Sequence, residues 1–133
     1  MNILVIDAQG GGIGRQLVAE LLRRMPSAEI TAVGTNSAAT AAMLKAGAHH
    51  AATGENAVVV GCRRADVIVG PIGIVIADSL WGEVTPKMAV AVGQSSAQRV
   101  LIPINHCDNR IAGLQDVTVG QLVAQAVDMI ESM

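Results

Sequence analysis

The stretch Asn2-Ile3-Leu4-Val5-Ile6-Asp7-Ala8-Gln9-Gly10-Gly11-Gly12-Ile13-Gly14 decides the fold. Its opening is a nearly unbroken apolar run, the pattern of a strand buried on both faces. The glycines that follow let the backbone turn sharply and approach a ligand with no Cβ in the way. Ile13, Leu17, Val18, Leu21, Leu22 and Met25 then recur at helical spacing, Arg23 and Arg24 fall in the last turn, and Pro26 stops the helix. A helix that starts at such a turn aims its free N–H groups and the positive end of its dipole at one point, where a phosphate fits.

Outward from this unit the chain alternates strands and helices. Residues 29–33 read as a second strand. Gly34-Thr35-Asn36-Ser37 is a turn with Asn36 or Ser37 as N-cap, before a helix over 38–46 that ends at Gly47. Residues 48–52 read as a short third strand and 57–64 as a helix. Asp66-Val67-Ile68-Val69 is the fourth strand, broken by Gly70-Pro71. The spacing predicts a short helix over 72–80, and another from the cap Thr85 and first-turn Pro86 through Val92. A fifth strand over 99–104 leads to a polar turn over 105–109, and residues 110–113 are a candidate sixth strand. Val119, Leu122, Val123, Ala126, Val127 and Ile130 form the apolar stripe of a last helix capped by Thr118. Strands alternating with helices imply parallel pairing and right-handed crossovers. The expected fold is therefore α/β, a three-layer, doubly wound, Rossmann-like parallel sheet in order 3-2-1-4-5, with the sixth strand at one edge. All of residues 1–133 form one domain.

Composition agrees. The 133 residues are 51% hydrophobic and 15% charged, which excludes disorder and more than fills the core of one small domain. The surplus apolar surface predicts self-association, with a homodimer as the default. Trp81 is the sole aromatic residue, read as a packing or interface anchor. A net charge of −2, no basic stripe and no aromatic platform argue against nucleic-acid binding. No apolar run is long enough for a membrane span, and the start lacks the features of a signal peptide, so a cytoplasmic protein is expected. Cys62 and Cys107 lie far apart and read as reduced thiols.

The glycine loop nominates Gln9, Gly10, Gly11, Gly12, Ile13 and Gly14 for a small phosphate-bearing ligand. Open parallel sheets bind ligands at the carboxyl ends of their strands. That rule adds Gly70 and Pro71, with Asp7, Asn105 and His106 as polar groups on the same rim. Thr35, Asn36 and Ser37 at the tip of the second strand are neutral, where NAD-binding domains place an acid for the ribose hydroxyls. A neutral tip accepts a 2′-phosphate, so NADP is the expected cofactor. No metal is expected: His49, His50, His106, Cys107 and Asp108 lack the ligand spacing of a zinc site. No catalytic residue can be named.

Gly12-Ile13-Gly14 resembles the GxG of the glycine turn in short-chain dehydrogenases. The likeness stops there, because that family acts through a tyrosine and this chain has none. A small NADP-dependent oxidoreductase, with His106 or Asp7 moving the proton, is the enzymatic alternative. The span from Ile30 to Pro71, with its Gly34-Thr35-Asn36 turn, resembles the phosphate-binding half of methylglyoxal-synthase-like domains. That likeness implies a binder or enzyme of a small phosphorylated metabolite. Taken whole, the segments 2–14, 32–47, 65–73 and 101–105 resemble a family of short bacterial Rossmann-like proteins of unknown function. The resemblance implies fold and size, and no activity.

Overall fold

The computed structural model describes residues 1–104 and 108–133. Five parallel strands, β1 (Asn2–Asp7), β2 (Glu29–Gly34), β3 (His50–Thr53), β4 (Val67–Pro71) and β5 (Gln98–Ile102), form one sheet in the order β3-β2-β1-β4-β5. The helices are α1 (Gly12–Arg24), α2 (Ser37–Lys45), α3 (Glu55–Arg64), α4 (Pro86–Gln94) and α5 (Val119–Glu131). The doubly wound Rossmann-like reading and the strand order hold.

Residue parity on β1 builds the three layers. Ile3 and Val5 point into one apolar cluster with Leu17, Val18 and Leu21 of α1, Met43 of α2, and Val123, Val127 and Ile130 of α5. Leu4 and Ile6 point the other way, into a second cluster with Val58 and Cys62 of α3 and Met88 and Val92 of α4. β4 is buried along its whole length, as its continuous apolar sequence requires. Each Leu or Ile fully buried in these layers contributes about 1.5–3 kcal/mol, which is why an aliphatic core suffices without aromatics. Burial also pushes the Cys62 thiol up to about 11, so this thiol is an inert core group.

The helix caps follow the sequence closely. Asn36 takes the N–H of Ala39 at 2.8 Å, so it caps α2. Thr85 takes the N–H of Met88 at 3.1 Å, with Pro86 in the first turn of α4. Thr118 and Gln121 form a reciprocal capping box on α5. Arg24 at the end of α1 forms ion pairs with Asp128 and Glu131 of α5.

Three expectations change. The helix expected over 72–80 is a single 3-10 turn at Ile72–Val75, followed by a tight loop over 76–84. Asp78, Leu80 and Trp81 have positive φ there, at 64°, 56° and 60°, and no helix can continue through them. Residues 110–113 are turn and coil and pair with no described strand, so the sheet has five strands among the described residues. Trp81 is 95% exposed at the tip of the loop over 76–84, which removes the packing role read for it and leaves the interface one. No helix among the described residues is long and apolar enough to cross a membrane.

Candidate functional site

The sheet order puts β1 and β4 side by side while their connections leave in opposite directions. The crevice at their carboxyl ends is the place where this architecture binds ligands. A cavity of about 260 Å³ opens there, lined by residues 7–13, Gln16, Pro71, Leu80, Ile104 and Val119. A wider groove of about 490 Å³ lies beside α3, lined toward the amino ends of β1 and β2 by Asn2, Glu29, His50 and Arg64. It is a stretch of the sheet face that α3 leaves uncovered, running along β1, β2 and β3 and lying apart from the glycine turn.

The glycine turn is built from two left-handed residues, Gln9 at φ 52° and Gly11 at φ 72°. Gly11 is required twice over. Its backbone favours glycine, and a Cβ there would stand 2.9 Å from the backbone of Ala39. Its N–H closes the turn on the carbonyl of Ala8 at 3.0 Å. Gly14 lets α1 lie directly on the tip of β1, since a Cβ would meet Asp7 Cβ at 2.8 Å and Met43 Sδ at 2.5 Å. Gly12 opens the helix, is exposed, and has nothing within 4 Å of where its Cβ would stand. Among the described residues no acceptor pairs with the N–H of Gly10 or Gly12.

Asp7 is buried at 4% exposure beneath this turn. Its Oδ1 accepts the N–H of Ala8 at 2.8 Å and its Oδ2 the N–H of Gly14 at 2.6 Å. Burial pushes its pKa up. The N–H groups of Gly14, Ala8 and Ile13 pull it back only in part, and the Glu83 charge adds to the rise. Both carboxyl oxygens are committed to backbone donors, so Asp7 shapes the turn.

Its titration has a definite sign. A folded-state pKa above the ordinary 3.8 means that the folded protein holds the proton longer than the unfolded chain. The contribution of Asp7 to stability is therefore full below about 3.8 and is lost as pH rises through the raised value. Asp7→Asn cannot titrate. The melting temperature of wild type minus that of the variant should fall as pH is raised from about 3.5 to about 7. A difference that rises would mean that the N–H groups outweigh burial.

The sequence alone does not point to Glu83. This residue reaches from the loop over 76–84 to the tip of β2. There its Oε1 accepts the N–H of Gln9 at 2.9 Å, the hydroxyl of Thr35 at 2.8 Å and the amide of Asn36 at 2.7 Å. Partial burial opposes its ionisation, but these three donors prevail and hold its carboxyl below the usual range. The premise that the tip of β2 is neutral is thereby corrected: its own residues are neutral, and a carboxylate from another loop charges it.

The nominated residues separate into two groups. Gln9, Gly10, Gly11, Gly12, Ile13 and Pro71 line the β1/β4 crevice. Thr35 and Asn36 lie across the glycine turn, bound to Glu83, and Ser37 begins α2 in solvent. Gly14 and Gly70 are buried packing positions outside the crevice lining. Asn105, His106 and Cys107 lie outside the described residues. His49 accepts the N–H of Ile30 through Nδ1 at 2.9 Å, and His50 meets Glu29 at 2.6 Å, so both have structural partners on the sheet. The one signal that could have found Glu83 is its place in the β4–α4 connection, which ends at the same rim as the glycine turn. The helix expected through Leu80 hides the reach of that loop.

Among solved structures, the chain is similar to a dodecameric FMN-dependent UbiX-like decarboxylase from Escherichia coli O157:H7. The TM-score is 0.47 at 20% identity, over 98% of this chain and 77% of that one. Likeness at that level fixes neither cofactor nor reaction. No curated protein matches the sequence. The profile of DUF3842, a domain of unknown function, matches residues 2–133, and the chain belongs to that family.

Proposed function

We propose that this chain is a nucleotide-binding module whose ligand rests a phosphate on the Gly10–Gly12 turn at the β1/β4 crevice. One observation carries the reading. The N–H of Gly12 stands unpaired among the described residues at the start of a 13-residue helix and borders a cavity at the carboxyl ends of the two central strands. At about 260 Å³ the cavity is smaller than the roughly 300–1,000 Å³ that encloses a drug-sized ligand. It suits the phosphate of a nucleotide, with the ribose and base crossing the glycine turn toward β2.

The finer alternatives fare differently. NADP needs a neutral β2 tip, and Glu83 opposes a 2′-phosphate there. A small phosphorylated metabolite held by the Thr35-Asn36 turn would compete with the same carboxylate for the same donors. An oxidoreductase using Asp7 as its proton carrier would have to break the bonds to Ala8 and Gly14. Calorimetric titration with ADP, NADH and NADPH tests the reading. Heat of binding with at least one of them at millimolar concentration or below supports it, and none with any overturns it.

We propose in addition that the protein self-associates. Trp81 at 95% exposure, with Met129, Leu114 and Val90 more than 40% exposed, leaves apolar surface that a second copy would cover. Light scattering at micromolar concentration should give a dimer mass, and a monomer mass would end this part of the proposal.

A further inference from the structure

We propose that Glu83 selects a nucleotide whose ribose carries free 2′ and 3′ hydroxyls. This rests on the nucleotide-binding reading above and names the class of nucleotide.

β2 ends at Gly34, and the residues after it, Thr35, Asn36 and Ser37, carry no charge. The acid comes instead from beyond β4. Glu83 Oε1 takes three donors, one from the β1–α1 turn and two from the β2–α2 turn. The Asn36 amide also donates to the carbonyl of Gln9 at 2.9 Å. Gln9, Thr35, Asn36 and Glu83 thus form one cross-link between the two turns that a nucleotide would span. Oε2 makes no hydrogen bond to any described residue, and the side chain is half-buried. An ionised carboxylate with one oxygen anchored and the other open is an acceptor looking for donors. A vicinal diol supplies two. A 2′-phosphate supplies none and sets like charges together, at a cost that grows as water is excluded.

The arm that delivers Glu83 is preorganised. Asp78 N–H donates to the carbonyl of Val84 at 2.7 Å, Glu83 N–H to that of Leu80 at 3.2 Å, and the Ser79 hydroxyl to the carbonyl of Gly73. These bonds hold three non-glycine residues at positive φ, conformations that persist only where their surroundings over-determine them. Leu80 of the same arm lines the crevice. A single rigid segment therefore touches the phosphate side of the glycine turn through Leu80 and the opposite side through Glu83.

The test titrates the full chain with 5′-AMP, 2′-deoxy-AMP and adenosine 2′,5′-bisphosphate, which differ only at the 2′ position. Wild type should bind 5′-AMP about tenfold or more tightly than either of the others, the usual scale for one hydrogen bond to a charged group. Glu83→Gln should weaken 5′-AMP and bring the bisphosphate within about threefold of it. The wild-type comparison needs no variant to fold. If all three bind wild type alike, or the preference survives in Glu83→Gln, this inference falls and the nucleotide reading stands. It falls in the same way if Glu83→Gln tightens all three equally, because Glu83 then blocks the site. If none binds either protein this inference falls, and the nucleotide reading falls with it only if ADP, NADH and NADPH give no heat either.

Discussion

Gly70→Ala is expected to lower the melting temperature by roughly 10 °C or more, the largest loss of stability from adding a single methyl group to this chain. The methyl would stand 2.3 Å from the carbonyl oxygen of Ile6, and 3.2 Å from Ile74 Cδ1. A clash with a flexible side chain is relieved by a rotamer change. A clash with a neighbouring strand is relieved only by moving the strand. Here the neighbour is β1, paired with β4 from Ile3↔Val67 to Val5↔Val69, and both are buried between two helical layers. Overpacking of this kind costs on the order of 3 kcal/mol, against a total stability of about 5–15 kcal/mol for a domain. Gly93→Ala is the control. That glycine lies in α4 with nothing within 4 Å of its Cβ position, so alanine there should raise stability by up to about 1 kcal/mol. Thermal melts of both variants check the pair. A Gly70→Ala protein that melts within about 2 °C of wild type would mean that β1 and β4 separate more easily than their pairing implies.

Gly70 also marks how far the sequence can be read. The pattern Asp66-Val67-Ile68-Val69 followed by Gly-Pro identifies β4 and its end, because a doubly buried strand has a composition of its own. The strand order follows from alternation and crossover handedness. The caps at Asn36, Thr85 and Thr118 follow from local chemistry, since a side-chain oxygen needs only a free N–H three residues on. The loop over 76–84 is illegible for the opposite reason. Its shape depends on left-handed backbone at Asp78, a type that tolerates it, and at Leu80 and Trp81, types that do not ask for it, and on bonds closed at Gly73 and Val84. Ile72-Gly73-Ile74-Val75-Ile76 favours a regular element by pattern, and tertiary contacts override that preference after one turn.

The candidate site is legible in the same uneven way. The glycine turn announces itself, because strand, glycines and helix are contiguous. Even there the roles within it are not distinguishable by sequence: Gly11 carries the left-handed bend together with Gln9, while Gly12 is an ordinary helical residue. Glu83 is 74 residues from its partner Gln9 and 48 from Thr35. No local pattern encodes such a contact. Charge at the β2 tip is therefore misjudged by reading only the residues of that tip.

Gly12→Asp is expected to abolish nucleotide binding, by about a hundredfold or more, while leaving the fold intact. The two halves of that expectation have separate causes. Nothing lies within 4 Å of the Gly12 Cβ position, and its backbone is helical, so a side chain fits. An acid in the first turn also suits the helix dipole, by about 0.3–1 kcal/mol, so the melting temperature should hold or rise slightly. The same carboxylate would stand where the proposed phosphate rests and would compete for the same N–H groups. Two unit charges about 5 Å apart at an effective dielectric constant of about 20 repel by roughly 3 kcal/mol, which is about a hundredfold in affinity. Gly12→Ala separates charge from bulk: it adds a methyl to open space and should change affinity by no more than a few-fold. Calorimetry on the three proteins with the best-binding nucleotide, beside their melts, reads both halves at once. Binding lost in Gly12→Asp and kept in Gly12→Ala, with both folded, would fix the phosphate at this turn by its charge alone. Equal binding by all three would move the ligand away from the turn, and with it the reading of the Gly10–Gly12 turn as a phosphate cradle.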